Sequence, residues 1–141
     1  YDIGSGNGFP GLIMAAMAPN RSFVMVDSDE RKMEFIKHAA TVLELKNVRF
    51  FVGRVESLPK GSVQAGVTRG FASLSGAILP CRGPFAVGSE FYHLKSSSWG
   101  REVAEIPTQA CSMWAPKLVR NYRIPESSIE MAVVLTSRLT E

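Results

Sequence analysis

The residues best suited to chemistry stand at the start of the chain, in residues 2–11, where four of the ten residues are glycine. Because glycine lacks a Cβ atom, it can adopt a positive φ and lets a ligand lie against bare backbone. The apolar run that follows is typical of a helix, which would direct its unpaired N–H groups and positive dipole end toward the same place. This stretch therefore predicts a cofactor-binding corner between a strand and a helix.

Charged side chains follow four of the predicted strands, at Asp27, Glu56, Arg69 and Lys95. Ligands of an open parallel sheet bind outside the carboxyl ends of its strands, so we expect these side chains to share one site with the glycine loop. Asp27 lies 19 residues after Gly8, where an acid can accept hydrogen bonds from both hydroxyls of a ribose. Asp27 and Glu56 are each also typical of solvated helix or turn starts, so the prediction of a shared site rests on the four charged residues and the glycine loop together.

Two cofactors use such an edge, and the glycines can be aligned with either. Gly6-x-Gly8-x-x-Gly11 matches the dinucleotide fingerprint, which favours NAD or FAD. The same loop also contains Gly4-x-Gly6-x-Gly8 with an acid, Asp2, two residues ahead of it. An acid at this place suits a cationic, amine-bearing ligand better than a pyrophosphate. We therefore expect S-adenosylmethionine as the cofactor, with NAD as the alternative.

The elements that position these residues form a β-α-β-α-β unit followed by further strands. Crossover units of this length imply a parallel sheet with helices on both faces. We predict an α/β, Rossmann-like fold with a mostly parallel, doubly wound sheet and an antiparallel C-terminal strand pair, in a single domain over residues 1–141. The predicted strands are 1–3, 22–26, 48–52, 64–68, 90–94 (entered through 85–88), 112–124 and 131–136, and the predicted short helices include 11–18, 74–79 and 99–105.

Two predicted helices follow the glycine loop and strand 22–26. The first, residues 11–18, is apolar almost all round, so we expect it to be buried. The second is expected to begin at Ser28, which is suited to the N-cap position. Its buried face is predicted from residues that recur at helical spacing: Met33, Ile36, Ala40 and Leu43.

The composition fits one ordinary globular domain, with 45% hydrophobic and 21% charged residues and no run near the roughly 20 apolar residues that span a bilayer. Cys81 and Cys111 lack metal-ligand and disulfide spacing, so we expect reduced thiols, no metal site and a cytoplasmic protein without a membrane partner. The net charge of +3 favours an anionic partner. Since the chain starts at Tyr1 with a very short strand, we expect a fragment that lacks an N-terminal segment.

Five segments together resemble a known enzyme family. They are Asp-Ile-Gly-Ser-Gly-Asn-Gly-Phe-Pro-Gly at 2–11, Val-Asp-Ser at 26–28, Arg-Val-Glu at 54–56, Arg-Gly-Phe-Ala-Ser at 69–73 and His-Leu-Lys at 93–95. They are similar to segments of the bacterial 16S ribosomal RNA guanine-N7 methyltransferases, the small-subunit methyltransferase G family. The similarity extends over nearly all of the chain, whereas a generic methyltransferase would share only the glycine loop and Asp27.

The resemblance implies a class I S-adenosylmethionine-dependent methyltransferase that methylates N7 of a guanine in 16S ribosomal RNA. Its partner would be that RNA or the small ribosomal subunit, and we expect a monomer. The resemblance also implies Val55 and Glu56 at the adenine and Arg69 reaching into the site. The expected cofactor-binding residues are Asp2, Gly4, Ser5, Gly6, Gly8, Phe9, Asp27, Ser28, Val55, Glu56 and Arg69.

Guanine N7 is a bare acceptor that carries no proton, so we expect no general base. Arg69 would position the guanine or the RNA, and Lys95 and Arg123 would bind RNA. In a regular strand, Lys117 and Arg123 share one face while Arg120 points to the other, an arrangement that an exposed ribbon explains as well as an RNA surface does. Two other functions remain open: an NAD-dependent oxidoreductase, and an RNA-binding module with a degenerate methyltransferase fold.

Overall fold

The computed structural model of the chain describes residues 1–140, which form seven strands and five helices. The strands are β1 (Asp2–Ile3), β2 (Phe23–Asp27), β3 (Val48–Val52), β4 (Val63–Arg69), β5 (Phe85–Ser96), β6 (Trp114–Arg123) and β7 (Glu130–Arg138). The helices are α1 (Gly11–Met17), α2 (Glu30–Val42), α3 (Leu74–Ile78), α4 (Trp99–Ala104) and α5 (Thr108–Cys111). Short 3₁₀ turns cover Val55–Ser57 and Pro80–Arg82.

All seven strands belong to one sheet, in the order β3-β2-β1-β4-β5-β7-β6. Strands β1 to β5 are mutually parallel, and β7 lies antiparallel between β5 and β6. The predicted α/β fold with an antiparallel C-terminal pair is confirmed. The strand order reverses between β1 and β4, which is where such a sheet opens a ligand crevice at its carboxyl edge. In the described part of the chain, no helix is long and apolar enough to cross a membrane.

The core lies in two clusters, one on each face of the sheet. Successive residues of a strand point to opposite faces, so in β2 Met25 belongs to the cluster under α1 and α2 while Val26 belongs to the cluster on the other face. The second cluster is the larger and includes Phe91 and Trp114, both almost completely buried. Helices on both faces therefore hold the sheet, and its carboxyl edge stays accessible.

The first two helices differ from their predictions in three details. Only one face of α1 is buried, since Met17 is 81% exposed and Ile13 is 43% exposed, so the prediction of an all-round buried helix is wrong. Asp29, not Ser28, caps α2, because its carboxylate accepts from two backbone N–H groups of the first turn. The predicted face of α2 is confirmed except at Leu43, which follows the last helical residue and is 51% exposed.

Strand β5 is longer than predicted, since it continues without interruption from Phe85 to Ser96. Its pairing with β4 shifts, so that one residue of β4 opposes four of β5 between the Val63–Phe85 and Ala65–Glu90 pairs. Gly88, with φ of +83°, lies in this irregular stretch. The residues predicted only to lead into the strand are therefore part of it, because a bulge accommodates the irregular stretch and the strand continues past it.

A bulge in β6, just before Arg120, reverses the expected facing of the basic residues there. Lys117 pairs with Leu135 and Arg120 pairs with Val133, two positions apart on β7, so both basic side chains lie on one face. Arg123, three residues after Arg120, lies on the opposite face. The prediction that Lys117 and Arg123 share a face is wrong, because the extra residue of a bulge shifts the alternation by one.

His93 is a fully buried residue of β5 that the fold keeps neutral. Its Nε2 atom lies 2.8 Å from the hydroxyl of Thr136, and its ring centroid lies 4.2 Å from that of Phe91. Burial lowers the pKa of His93 to about 3, and the positive charge of Lys95 acts in the same direction. Because the unfolded chain would take up a proton near the ordinary histidine pKa of 6.5, folding is opposed increasingly as the pH falls below that value.

We predict that His93→Gln, which cannot titrate, removes this part of the acid sensitivity. Between pH 7 and pH 5 the wild-type free energy of unfolding should fall by about 2 kcal/mol more than that of the variant. Urea unfolding of both proteins at the two pH values measures the difference, and contributions from other groups cancel in the comparison. A stability difference between the two proteins that does not change with pH would contradict the assignment.

Candidate active site

A cleft of about 1040 Å³ lies along the carboxyl edge of the sheet, at the reversal between β1 and β4. Its volume is at the upper end of the roughly 300–1,000 Å³ that holds a drug-sized ligand. Most of the site residues predicted from the sequence line it: Gly4, Ser5, Gly6, Phe9, Asp27, Ser28, Val55, Glu56, Arg69 and Lys95.

Three predicted site residues lie outside the cleft lining: Asp2, Gly8 and Arg123. Asp2 is completely buried behind the glycine loop, and the backbone of Gly8 packs against Leu12. Arg123 is the last residue of β6, where it forms an exposed ion pair with Glu130 of β7 at 3.3 Å. Asp2 and Gly8 support the shape of the loop, and their predicted contact with the cofactor stays a prediction.

Residues that the sequence did not single out as cofactor-binding also line the cleft, among them Asn7, Lys32, Arg54, Phe71 and Met131. Lys32 belongs to the polar face of α2, and nothing in the helical periodicity indicates that its first turn borders a cleft. Met131 belongs to β7 and reaches the cleft only because it pairs with Ser96 of β5. Arg54 carried a usable signal, since it directly precedes Val55 and Glu56.

The glycine loop is shaped by backbone that only glycine adopts easily and by close packing. Gly4, Gly6 and Gly8 have φ values of +67°, +54° and +86°. A Cβ at Gly4 would collide with the ring of Phe71, which covers this glycine. Ser5 fastens the loop to β2, because its hydroxyl accepts from the N–H of Val26 at 2.9 Å and donates to the carbonyl of Asp2 at 2.8 Å.

The carboxylate of Asp27 is held at the end of β2 with acceptor capacity to spare. Its Oδ2 accepts from the N–H of Gly6 at 2.8 Å, and its Oδ1 accepts from the N–H of Asp29 at 2.9 Å. A carboxylate offers about four acceptor positions, so each oxygen can take one further hydrogen bond. Because Asp27 lines the cleft, this arrangement fits the two neighbouring hydroxyls of a ribose.

The N-terminus of α1 is already occupied by the protein's own acceptors. Asp2 Oδ2 accepts from the N–H of Gly11 at 2.9 Å, and the carbonyl of Gly8 accepts from the N–H of Leu12 at 2.8 Å. Burial raises the pKa of Asp2 to about 6, against the opposing effect of the Gly11 hydrogen bond. A dinucleotide would place its pyrophosphate at this helix start. The loop therefore fits a nucleoside without phosphates better than NAD.

Two exposed rings, one of them in the glycine loop, and a guanidinium border the cleft. The guanidinium carbon of Arg69 lies 5.6 Å from the centroid of the Phe9 ring, within the range of a cation–π contact. Phe9 is 49% exposed and Phe71 is 38% exposed, which is unusual for phenylalanine. Aromatic faces and a guanidinium together can stack on a nucleic-acid base.

Lys95 lies in the cleft lining, but its ammonium group is largely enclosed. The side chain is 12% exposed, donates to the carbonyl of Ala72 at 2.6 Å and forms an ion pair with Glu102 at 2.7 Å. The same Glu102 oxygen accepts from the N–H of Leu74 at 2.8 Å. Lys95 is thus bound within the protein in this structure, and a second partner would have to compete with Glu102.

The strand order is that of the class I methyltransferase fold, and the cleft at the carboxyl edge of the sheet has a lining that fits a nucleoside. Two solved structures share the fold: P. horikoshii TYW2 in complex with MeSAdo (TM-score 0.72, 11% identity, 99% of this chain and 56% of that one) and a SAM-dependent O-methyltransferase from Thermotoga maritima (TM-score 0.71, 12% identity, 99% and 58%). At these identities the similarity supports the fold alone.

The chain belongs to the rRNA small subunit methyltransferase G family, whose sequence profile matches residues 1–124. The family resemblance expected from the five sequence segments is confirmed. The ribosomal RNA small subunit methyltransferase G 3 of Bdellovibrio bacteriovorus is 47% identical over 139 residues, which are 99% of this chain and 63% of that protein. The chain thus spans somewhat less than two thirds of this relative's length.

We predict that Gly4→Ala destabilises the fold more than Gly61→Ala does. Both glycines have nearly the same φ, +67° and +68°, so both variants carry the left-handed strain of roughly 1–2 kcal/mol. Only Gly4→Ala must also displace a ring, since no atom lies within 4 Å of the place that a methyl group would take at Gly61. The additional loss should be about 1–3 kcal/mol in urea unfolding. Equal losses in the two variants would show that Phe71 does not constrain Gly4.

Proposed function

We propose that the protein transfers a methyl group from S-adenosylmethionine to N7 of a guanine in 16S ribosomal RNA. The observation that carries the proposal is the cleft's acceptor pattern: Asp27 has free acceptor positions for a ribose, while Asp2 fills the helix start where a pyrophosphate would bind. Membership of the rRNA small subunit methyltransferase G family supports the methyl donor and the RNA substrate.

The lining residues divide between the parts of S-adenosylmethionine. Asp27 would accept from the ribose hydroxyls, and Val55 and Glu56, on the 3₁₀ turn after β3, would border the adenine. The bare backbone of Gly6, where a Cβ would meet only the carbonyl of Gly4 at 3.8 Å, leaves room for the methionine part. Ser28 and Phe9 also line the cleft. When bound, the cofactor supplies a methyl group on a positively charged sulfur.

The reaction needs little acid–base chemistry from the protein. The N7 lone pair forms the new bond to the methyl carbon while the S–C bond breaks and its electron pair stays on sulfur. N7 carries no proton, so none has to be removed. The acids that line the cleft in the described residues, Asp27 and Glu56, are both assigned to the cofactor. Positioning of the two reactants in line then supplies most of the rate.

Arg69 is the residue best placed to orient the guanine. A bidentate contact of arginine to O6 and N7 is the commonest guanine contact in DNA. That contact would occupy the nucleophile, so in this reaction Arg69 must donate to O6 alone and leave N7 free. Phe9 and Phe71 offer ring faces on which the base can stack.

The RNA partner is supported by charge beyond the cleft. In the β6–β7 ribbon, Lys117 and Arg120 share one face with Tyr122, which pairs with the cleft residue Met131. Phosphate contacts from such residues would hold the 16S RNA or the small ribosomal subunit without reading its sequence. We further propose that the protein acts in the cytoplasm and that it is a monomer. Size-exclusion chromatography with light scattering tests the oligomeric state directly.

We predict that Asp27→Asn weakens S-adenosylmethionine binding by about tenfold or more, because hydrogen bonds to a charged acceptor are worth about 1.5–3 kcal/mol. Calorimetric titration of wild type, Asp27→Asn and the surface control Glu34→Gln measures the effect. NAD should not bind to any of the three. A dissociation constant for Asp27→Asn within twofold of wild type, or binding of NAD, would remove the proposed cofactor site.

We predict that Arg69→Ala lowers methyl transfer to 16S RNA by about a hundredfold, with unchanged thermal unfolding because Arg69 is exposed. Arg69→Lys separates the two possible roles. Lysine keeps the positive charge, so it restores most of the activity if the contact is to a phosphate. It restores little if Arg69 donates to guanine O6 while stacked on the Phe9 ring, because only the planar guanidinium can do both. Arg21→Ala, an exposed arginine outside the cleft lining, is the matched control. If Arg69→Ala leaves the transfer of labelled methyl unaffected, Arg69 is excluded from the site. If wild type binds RNA without transferring any methyl group, the alternative of an RNA-binding module with a degenerate methyltransferase fold is favoured.

A further inference from the structure

Lys95, Glu102 and residues 72–74 form a closed junction beside the cleft. One oxygen of Glu102, Oε2, accepts from Lys95 Nζ at 2.7 Å and from the N–H of Leu74 at 2.8 Å. The third side is the hydrogen bond from Lys95 Nζ to the carbonyl of Ala72 at 2.6 Å. Strand β5, helix α4 and the start of helix α3 are therefore joined through two side chains.

Two of the three joined elements are fixed independently of the junction. Lys95 lies in β5, which is paired on both sides, with β4 and with β7. Helix α4 packs Trp99 and Val103 against the main core cluster. The third element is the start of α3, and the residues that lead into it, 70–73, have no strand pairing or helix of their own. The junction thus ties an irregular segment to two rigid anchors.

That segment directly follows Arg69, the last residue of β4, and contains Phe71, and both side chains border the cleft. Arg69 ends β4 next to Phe9, and Phe71 covers Gly4. Gly70 between them has a φ of +66°, and a Cβ built there would meet no atom within 4 Å, so the space beside this residue is open. The backbone tether at Ala72 and Leu74 is the nearest constraint on the far side of Phe71.

We propose that Lys95 and Glu102 are a positioning pair for methyl transfer, which hold the segment from Arg69 to Leu74 in the geometry that orients the guanine. The proposal rests on the proposed methyltransferase function. It assigns Lys95 a role different from direct RNA binding, and it gives Glu102 a role that its sequence position does not indicate. The pair acts through Arg69 and Phe71 and does not itself touch the substrate.

The two roles of Lys95 predict opposite effects of removing Glu102. If Lys95 binds an RNA phosphate, loss of Glu102 frees the ammonium group and strengthens RNA binding. If Lys95 positions the segment, loss of Glu102 lowers the rate of methyl transfer as much as loss of Lys95 does. In the second case the double variant should be no worse than either single one, because each substitution breaks the same network.

The test uses Lys95→Ala, Glu102→Ala and the double variant of the complete gene product in a methyl-transfer assay with 16S RNA. Glu102→Gln keeps an acceptor for Leu74 and serves if Glu102→Ala does not fold. Glu34→Gln, which breaks the exposed ion pair of Lys37 and Glu34, is the matched control. Each protein is assayed for kcat, for the KM of the RNA and for the salt dependence of RNA binding.

We expect kcat to fall by about tenfold or more in both single variants and in the double variant, with the KM for RNA within about threefold of wild type. Glu102→Gln should retain more activity than Glu102→Ala, and Glu34→Gln should match wild type. A raised KM in Lys95→Ala with a salt slope lowered by about 0.7–0.9, together with unimpaired Glu102→Ala, would overturn the proposal in favour of a phosphate contact.

Amide hydrogen exchange tests the junction without relying on activity. The N–H of Leu74 should exchange at least about tenfold faster in Glu102→Ala than in wild type, while the N–H of Leu12, bound to Gly8, should not change. Unchanged exchange at Leu74 would overturn the positioning role. If wild type transfers no methyl group, the proposed function fails in the first assay, and the exchange result still decides whether the pair holds the segment.

Discussion

The buried carboxylate of Asp2 is the interaction on which the glycine loop depends. It closes the loop by accepting from the N–H of Gly11, nine residues later in the chain. The packing is so close that a Cβ at Gly11 would lie 2.5 Å from the carboxylate and 2.7 Å from Met25. Burial disfavours the charged form of Asp2, so its negative charge is retained at the expense of stability above its raised pKa of about 6.

The hydrogen bonds that close the glycine loop also determine which ligand the cleft can hold. An acid at the start of α1 leaves no place for a phosphate there, while Asp27 at the next strand end keeps both oxygens available to a sugar. The same loop sequence could have served a dinucleotide if those backbone donors had stayed free. The choice between the two cofactor classes is therefore made by two hydrogen bonds at the helix start.

Much of the fold and the core of the site could be predicted from local sequence patterns. The bounds of β3 were predicted to the residue, and the bounds of β4 and α3 to within one residue, because apolar runs there are enclosed by turn residues. The parallel order of strands follows from crossover length, and it brings Asp27, Glu56 and Arg69 to one edge. These features depend on short-range periodicity and on chain connectivity, which one sequence contains.

Only the tertiary structure decided the features that depend on pairs of residues far apart in the chain. The bulge in β6 changes which face carries Arg120, and the register between β5 and β7 brings Met131 into the cleft. The enclosure of Lys95 by Glu102 depends on where α4 packs, which no spacing reveals. The chain by itself determined the element types and the cofactor corner, because local backbone preference governs them. Strand register, the sheet face on which each side chain lies and the ion pairs were decided by long-range packing, because one local sequence pattern is compatible with several of each.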